Sequence, residues 1–255
     1  MTTSFLYSIF DIDYPESDGL PMAESDATRD YLIYGVEALT SHFQDHSDVY
    51  ISGNLFIYYE QGNPKAVVAP DVFVVFGVEK KKRPSYKLWQ EHNKVPDFVL
   101  EVTSKSTASE DCGTKRGLYA YLGVKEYFQY DPTSDYLQPP LQGFRLIEGN
   151  YLQIPSQTED GKLSVFSQVL GLELQRFDNG EMRFYNPNTG KKLNSPLEND
   201  QARQEAEQAR QEAEQARQQA EQARQQAEYE MSLEQQKVAK LEERLRQLGI
   251  DPDPI

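Results

Sequence analysis

The sequence predicts an α/β domain with a mixed sheet flanked by helices, followed by a long C-terminal helix. Three observations carry this. Apolar residues Tyr31, Leu32, Val36, Leu39 and Phe43 recur at helical spacing near the N-terminus. Between positions 49 and 185, short runs rich in Val, Phe and Tyr alternate with turn signals. Residues 201–228 then read QARQEAE twice and QARQQAE twice, an unbroken seven-residue repeat.

The opening helix is expected over residues 24–43, behind the cap candidates Ser25 and Asp26. Strands are expected over 49–59, with Gly53-Asn54 as a bulge or bend, over 66–76 and over 95–103. A second helix is expected from Thr107, where Thr107 and Glu110 form a capping-box pattern and Gly123 supplies a stop. Residues 126–130 resume as a strand ended by Asp131-Pro132. Short strands follow to Tyr185, and Asp178-Asn179-Gly180 is a strong hairpin signal.

Composition changes near Ser195, which divides the chain into a folded domain over 1–195 and a helical tail over 196–255. Alanines at 202, 206, 209, 213, 216, 220, 223 and 227 keep the 4,3 spacing of a coiled-coil seam, with Glu207/Arg210, Glu214/Arg217 and Glu221/Arg224 three apart on its flanks. Beyond Ala227 the apolar marks become Met231, Val238, Leu241, Leu245 and Leu248, after a 4,4 step that marks a stutter. A helix over 201–248 would be about 70 Å long, stopped by Gly249 and the prolines at 252 and 254. Alanine knobs bury little surface, so any homo-oligomer through 201–248 must be held by the leucine segment. The alternative is a spacer helix that never pairs.

Composition excludes several classes. The mean hydropathy of −0.71 and the lack of a long apolar run exclude a bilayer-spanning helix. No basic stretch opens the N-terminus and Asp11 interrupts it early, so the reading is cytoplasmic. A single cysteine, Cys112, rules out an internal disulfide and reads as a structural thiol, and only three histidines, His42, His46 and His92, are present. The net charge of −15 advertises no broad phosphate-binding surface. DNA contact would rest on one local run, Lys80, Lys81, Lys82 and Arg83, with Lys87 shortly after. Tyr86 and Trp89, close to that run, read as residues capping a core edge, with stacking on bases as the alternative.

Two acids stand out. Asp71 falls in the apolar run 66–76 and Glu101 in FVLEVT, where an unpaired carboxylate would cost several kcal/mol. Such acids are satisfied either by backbone amides and a buried lysine or by a shared cation. On the next helix Lys115 lies in register with Asp111, Leu118, Tyr119 and Leu122, on the inward stripe. Two acids on neighbouring strands and a lysine beside them are the parts that divalent-metal phosphodiester hydrolysis requires.

At these residues the chain resembles a known family. VVAPDV (67–72), VPDFVLEVTS (95–104) with Ser106, Lys115, GVKEY (123–127) and Asp131-Pro132 resemble the restriction endonuclease family of Uma-two type, within the PD-(D/E)xK nuclease superfamily. The resemblance spans about residues 21–185. It implies a restriction-endonuclease-like core in which Asp71 and Glu101 bind Mg²⁺ and act on DNA. It also implies two departures. Thr103 stands where the acid-x-Lys lysine is usual, which makes Lys115 the candidate and Lys105 the second choice. Near Met22-Ala23-Glu24, Thr28 precedes Arg29 where relatives carry histidine. Glu24, or less favourably Glu37, is the accessory metal ligand. The expected function is a Mg²⁺-dependent DNA endonuclease oligomerised by its tail. The alternative is an inactive nuclease-like scaffold assembled by the same helix.

Overall fold

The computed structural model describes residues 12–17, 26–104 and 107–249. Ser25 and the prolines at 252 and 254 lie outside them. A first helix, α1 (Asp26–His42), leads into β1 (Val49–Ser52), β2 (Ile57–Tyr58), β3 (Val67–Val68), β4 (Val72–Phe76), β5 (Tyr86–Lys87) and β6 (Phe98–Val102). Helical backbone then runs through α2 (Ala108–Glu110), a π-type turn at Asp111–Lys115 and α3 (Arg116–Leu122). The strands β7 (Glu126–Tyr130), β8 (Leu141–Ile147) and β9 (Asn150–Gln153) follow. Five more, β10 (Ser156–Glu159), β11 (Lys162–Ser167), β12 (Leu172–Phe177), β13 (Met182–Asn186) and β14 (Lys191–Lys192), precede α4 (Pro196–Gln247).

The central sheet has the order β1-β4-β6-β7-β8-β9, with β6 and β7 parallel and every other neighbouring pair antiparallel. Its middle strands are apolar on both faces because both faces are covered. Val72, Val74, Phe98, Leu100 and Phe128 meet Tyr34, Ala38 and Leu39 of α1 and the apolar side of the five-stranded sheet β10–β14. On the other face Phe73, Val75, Val99 and Tyr127 meet Tyr119 of α3 and Ile57, Val68 and Tyr86 of the small sheet β3-β2-β5. Burial of each such side chain contributes roughly 1.5–3 kcal/mol. Fully buried Glu126 accepts hydrogen bonds from Arg145, from Ser167 and from the amide of Gln168, which ties the central sheet to the end of β11.

Two long strands expected from sequence are divided. Residues 49–59 bend at Gly53 and at Asn54, whose φ is +48°, so β1 stays in the central sheet while β2 leaves for the small one. Residues 66–76 break at Ala69-Pro70-Asp71 between β3 and β4, because Pro70 lacks the N–H a continuing ladder would use. Asp71 therefore sits one residue before β4. The two breaks are packed together, with the Asn54 amide donating to the Pro70 carbonyl at 2.8 Å. The capping box at Thr107 does not form; Thr107 Oγ1 instead accepts the Ser104 amide at 3.0 Å. Gly123 ends α3 in the left-handed region at φ +88°, where a residue without Cβ is favoured. The hairpin at 178–180 joins β12 to β13, with Gly180 at φ +87°. Tyr86 is buried, and its hydroxyl donates to the Lys94 carbonyl.

The chain divides into two compact units, Met1–Pro196 and Leu197–Ile255. The helix α4 is 52 residues long, about 78 Å, with Pro196 at its first position, where a missing N–H costs nothing. None of its residues is buried.

Gly53 has no room for a side chain. A Cβ there would lie 2.2 Å from the Asp71 carbonyl oxygen and 2.8 Å from Val36 Cγ2. Gly53→Ala should destabilise the protein by about 1–3 kcal/mol, lowering the Tm by roughly 2–4 °C per kcal/mol. An unchanged melting curve would show that the Asp71 segment is free to shift.

Candidate active site

Strand register places the two acids. Val72 pairs with Leu100 in antiparallel register, so Asp71, one residue earlier, falls opposite Glu101. Side chains alternate across a strand, and Asp71 and Glu101 share parity with Phe73 and Val99 on the face that the 108–122 helical segment covers. From that segment Asp111, Lys115 and Tyr119, each four residues apart, present one stripe to the same place.

The contacts are short and mostly buried. The Lys115 ammonium lies 3.0 Å from Glu101 Oε2 and 3.2 Å from Asp111 Oδ1. The Tyr119 hydroxyl donates to Glu101 Oε1 at 2.6 Å. The Val102 amide donates to Asp71 Oδ2 at 2.7 Å, and the Asp71 amide donates, at 3.4 Å, to Glu101 Oε2. Glu101 and Asp111 are fully buried, and the Lys115 side chain is 12% exposed. Asp111 is within ion-pair reach of Lys115, yet neither carboxylate oxygen has a hydrogen-bond partner.

Three carboxylates thus surround one ammonium. Burial pushes the Glu101 carboxyl well above the usual range, and the Asp71 charge adds to the shift while Lys115 opposes it. Burial also raises Asp71, against the pull of Lys115 and the Val102 amide. For Lys115 burial disfavours the ammonium, but Glu101, Asp111 and Asp71 outweigh it and hold the pKa above the ordinary lysine value. Burial, followed by the Glu101 charge, raises the Tyr119 hydroxyl far above its usual pKa, so it remains a donor.

The structure brings Asp71, Glu101 and Lys115 together. It adds Asp111 and Tyr119, which the sequence reading placed on the same stripe without giving them a role. Gln129, paired with Glu101 across the β6–β7 ladder, is also buried on this face. Thr103 is buried with its Oγ1 lacking a hydrogen-bond partner, and the lysine reaching Glu101 comes from the helix. Glu24 and Lys105 lie outside the described residues. Glu37 is exposed on α1, whose buried side packs on the opposite face of the sheet.

The basic run differs from expectation at Arg83. Its guanidinium is paired twice with Glu91, at 2.8 and 3.0 Å, and stacks on the Tyr50 ring at 4.3 Å. Hydrogen bonds from Arg83 hold the Glu91 carboxyl below the usual range. Arg83 is therefore committed to the fold, which leaves Lys80, Lys81 and Lys82 exposed, with Lys81 paired to Glu79 at 3.0 Å. They follow the far end of β4, about 17 Å of strand rise from Asp71.

Residues 21–176 match the Uma2 family, described as "Putative restriction endonuclease". The chain belongs to the Uma2 family. Membership fits the mixed sheet flanked by helices, a restriction-endonuclease-like fold. One similar solved structure is that of a protein titled a putative nuclease belonging to DUF820, from Anabaena variabilis ATCC 29413. It is 12% identical with a TM-score of 0.37, over 52% of this chain and 69% of that one. No curated protein matches the chain. Restriction-endonuclease-like nucleases generally use divalent metals.

The residues of this Uma2 chain suit such a metal in a particular way. Among the described residues no three His, Cys, Asp or Glu side chains form a cluster that could hold a metal ion. Asp71 and Glu101 provide two hard carboxylates, and Mg²⁺ is commonly held by one or two carboxylates with waters and substrate phosphate completing its shell. Three buried acids against one lysine also leave an excess of negative charge when all are ionised, which a divalent cation would balance.

The raised carboxyls give a signed expectation. In metal-free protein, folded Glu101 keeps a proton that the unfolded chain releases near pH 4.3, so its contribution to stability falls as pH rises from there through the folded pKa. Glu101→Gln removes this titration. The stability of the Gln variant relative to the natural protein, from urea midpoints in chelator, should therefore improve steadily between about pH 4 and neutrality. A pH-independent difference would contradict the raised pKa.

Proposed function

We propose that this chain is a Mg²⁺-dependent endonuclease that hydrolyses phosphodiester bonds in DNA. The observation that carries the proposal is the convergence of Asp71, Glu101 and Lys115 at the start of β4, on one face of a restriction-endonuclease-like sheet. Asp71 and Glu101 would hold the cation. When bound, the cation supplies Lewis-acid polarisation of the phosphate and a more acidic water. Lys115 presents a fixed positive charge for the developing phosphorane oxygens. Tyr119 fixes the rotamer of Glu101 by binding Oε1, which leaves Oε2 directed at Asp71 and Lys115. Val102 does the same for Asp71 through Oδ2. Lys80, Lys81 and Lys82 suit contacts to flanking phosphates about five base steps away, at 3.4 Å per step. We place the protein in the cytoplasm, on a composition whose single cysteine, Cys112, allows no internal disulfide.

A second reading, an inactive scaffold with a nuclease fold, is favoured by one observation: Lys115 already pairs with Glu101. Plasmid nicking separates the two. With Mg²⁺ the natural chain should nick supercoiled DNA, and Asp71→Ala or Glu101→Ala should lower the rate at least ~100-fold, the scale of losing one key electrostatic contact, with the circular dichroism spectrum unchanged. Equal nicking by Glu101→Ala would remove the nuclease reading. No nicking by the natural chain would favour the scaffold.

Double-strand cleavage needs two active sites, and we infer that α4 provides them by pairing two copies. Leu241 and Leu248 are 62% and 70% exposed in the single chain, and covering such side chains contributes roughly 1.5–3 kcal/mol each. Full-length protein should sediment as a dimer or larger species, and changing Leu241, Leu245 and Leu248 to Glu should return it to one subunit. A monomer at high concentration would leave the tail as a spacer.

A further inference from the structure

Asp111 is the one acid of the cluster that the proposed reaction does not use. Its side chain is 1% exposed, and neither oxygen makes a hydrogen bond. A carboxylate buried that way is costly unless a charge answers it, and the Lys115 ammonium at 3.2 Å is the charge in reach. The residue is also held by its backbone. Asp111 opens the π-type turn that ends at Lys115, and its carbonyl accepts the hydroxyl of Tyr127 at 2.8 Å from the sheet below. Single π turns inside helices are frequent at functional sites.

The geometry of Lys115 poses a conflict for the nuclease reading. Its ammonium sits on Glu101 Oε2, the oxygen that also faces Asp71. Oε1 is taken by Tyr119. A divalent cation held by Glu101 would share that carboxylate with the ammonium and repel it, so the lysine's hold on Oε2 would weaken. Without a second anion it would swing to solvent, because a flexible four-carbon stem carries it and only one contact would have been fixing it. Asp111 Oδ1 is a second anion already in place.

We propose that Asp111 is a positioning residue: a second anionic seat that keeps Lys115 beside the reacting phosphate when a cation shares Glu101. The assignment rests on the nuclease reading and deepens it. It explains why a buried acid without hydrogen bonds sits one helical step from the lysine, and why a sheet tyrosine fixes the turn between them. It also gives Lys115 two contacts of nearly equal length, at 3.0 and 3.2 Å, so that exchange between seats needs little movement.

The test follows Lys115 itself. Full-length protein is treated with acetic anhydride in chelator or in Ca²⁺, and labelling of each lysine is read by mass spectrometry, with exposed Lys80 and Lys82 as references. Calorimetry establishes Ca²⁺ binding. In the natural chain, Ca²⁺ should change Lys115 labelling by less than about twofold, because Asp111 retains the ammonium. In Asp111→Asn, Ca²⁺ should raise it at least about tenfold, and at saturating Mg²⁺ the nicking kcat should fall while KM holds. Asp111→Ser is read in the same way if the Asn variant melts early. Continued protection in both variants, or release in the natural chain as well, overturns the assignment. If the natural chain binds Ca²⁺ and nicks DNA, such a result overturns the Asp111 role alone. If it binds no Ca²⁺, labelling is read with Mg²⁺ instead, and a chain that neither binds Mg²⁺ nor nicks DNA takes the assignment and the nuclease reading down together.

Discussion

Burying the carboxylates of Asp71 and Glu101 side by side is the constraint on which the rest of this domain depends. Two like charges in a low-dielectric pocket repel strongly, and each also loses its hydration. The protein answers with one ammonium, one phenol and two backbone amides rather than with a second lysine. That answer is incomplete by design of the residue set: three acids face a single cation, and both assigned acids titrate high. A fully neutralised cluster would be a better structural core, as buried pairs without further partners rarely contribute net stability. An under-neutralised one is suited to take up positive charge from outside.

Holding that cluster requires a sheet covered on both faces. β4 and β6 must be apolar on one side to seat α1 and the five-stranded sheet, and apolar on the other to seat α3 and the small sheet. The acids then occupy the point where the second face reaches the end of β4. Gly53 lets the β1–β2 bend close against the Asp71 carbonyl, and Pro70 ends the preceding strand, so the position of Asp71 is set by backbone packing as well as by hydrogen bonds. Glu126 provides a useful contrast on β7. It is equally buried, but Arg145, Ser167 and backbone amides satisfy it from several directions. One strand over, the same chemistry is used for cohesion.

Much of this was legible because it depends on periods. Two-residue alternation groups Asp71 with Phe73 and Val75, and the helical period puts Lys115 inward, while the shared face of Asp71 and Glu101 comes from the β4–β6 register. What periodicity cannot give is where a strand stops. The run 66–76 reads as continuous because its apolar pattern continues through Pro70, and Gly53-Asn54 marks an irregularity in 49–59 without showing that the chain changes sheets there. Arg83 shows a second limit. In sequence it is the fourth member of a basic run, but its partner Glu91 lies eight residues on and its stacking partner Tyr50 lies far upstream, so only the fold shows that its charge is already engaged. Asp111 was visible on the right stripe, yet an acid near a helix start has an ordinary explanation in the helix dipole. Its lack of hydrogen bonds is a fact of packing.

The tail obeys different physics from the domain. Alanine has the highest helix propensity, and its repeats are laced with local contacts: Glu207 with Arg210 and Gln211, Glu214 with Gln218, Glu221 with Arg224 and Gln225. Each such pair adds only about 0.2–0.5 kcal/mol, but they recur with every heptad and need no partner chain. The first four heptads can therefore be helical on their own terms. The segment after the stutter cannot be explained that way. Val238, Leu241 and Leu248 give no local advantage over alanine, since a helix gains nothing from exposing them, and their recurrence on one seam has a physical reason only if something covers it. The two parts of the helix thus differ in what they leave unsatisfied: the heptads are complete as a single helix, and the leucine segment carries the apolar surface that remains to be buried.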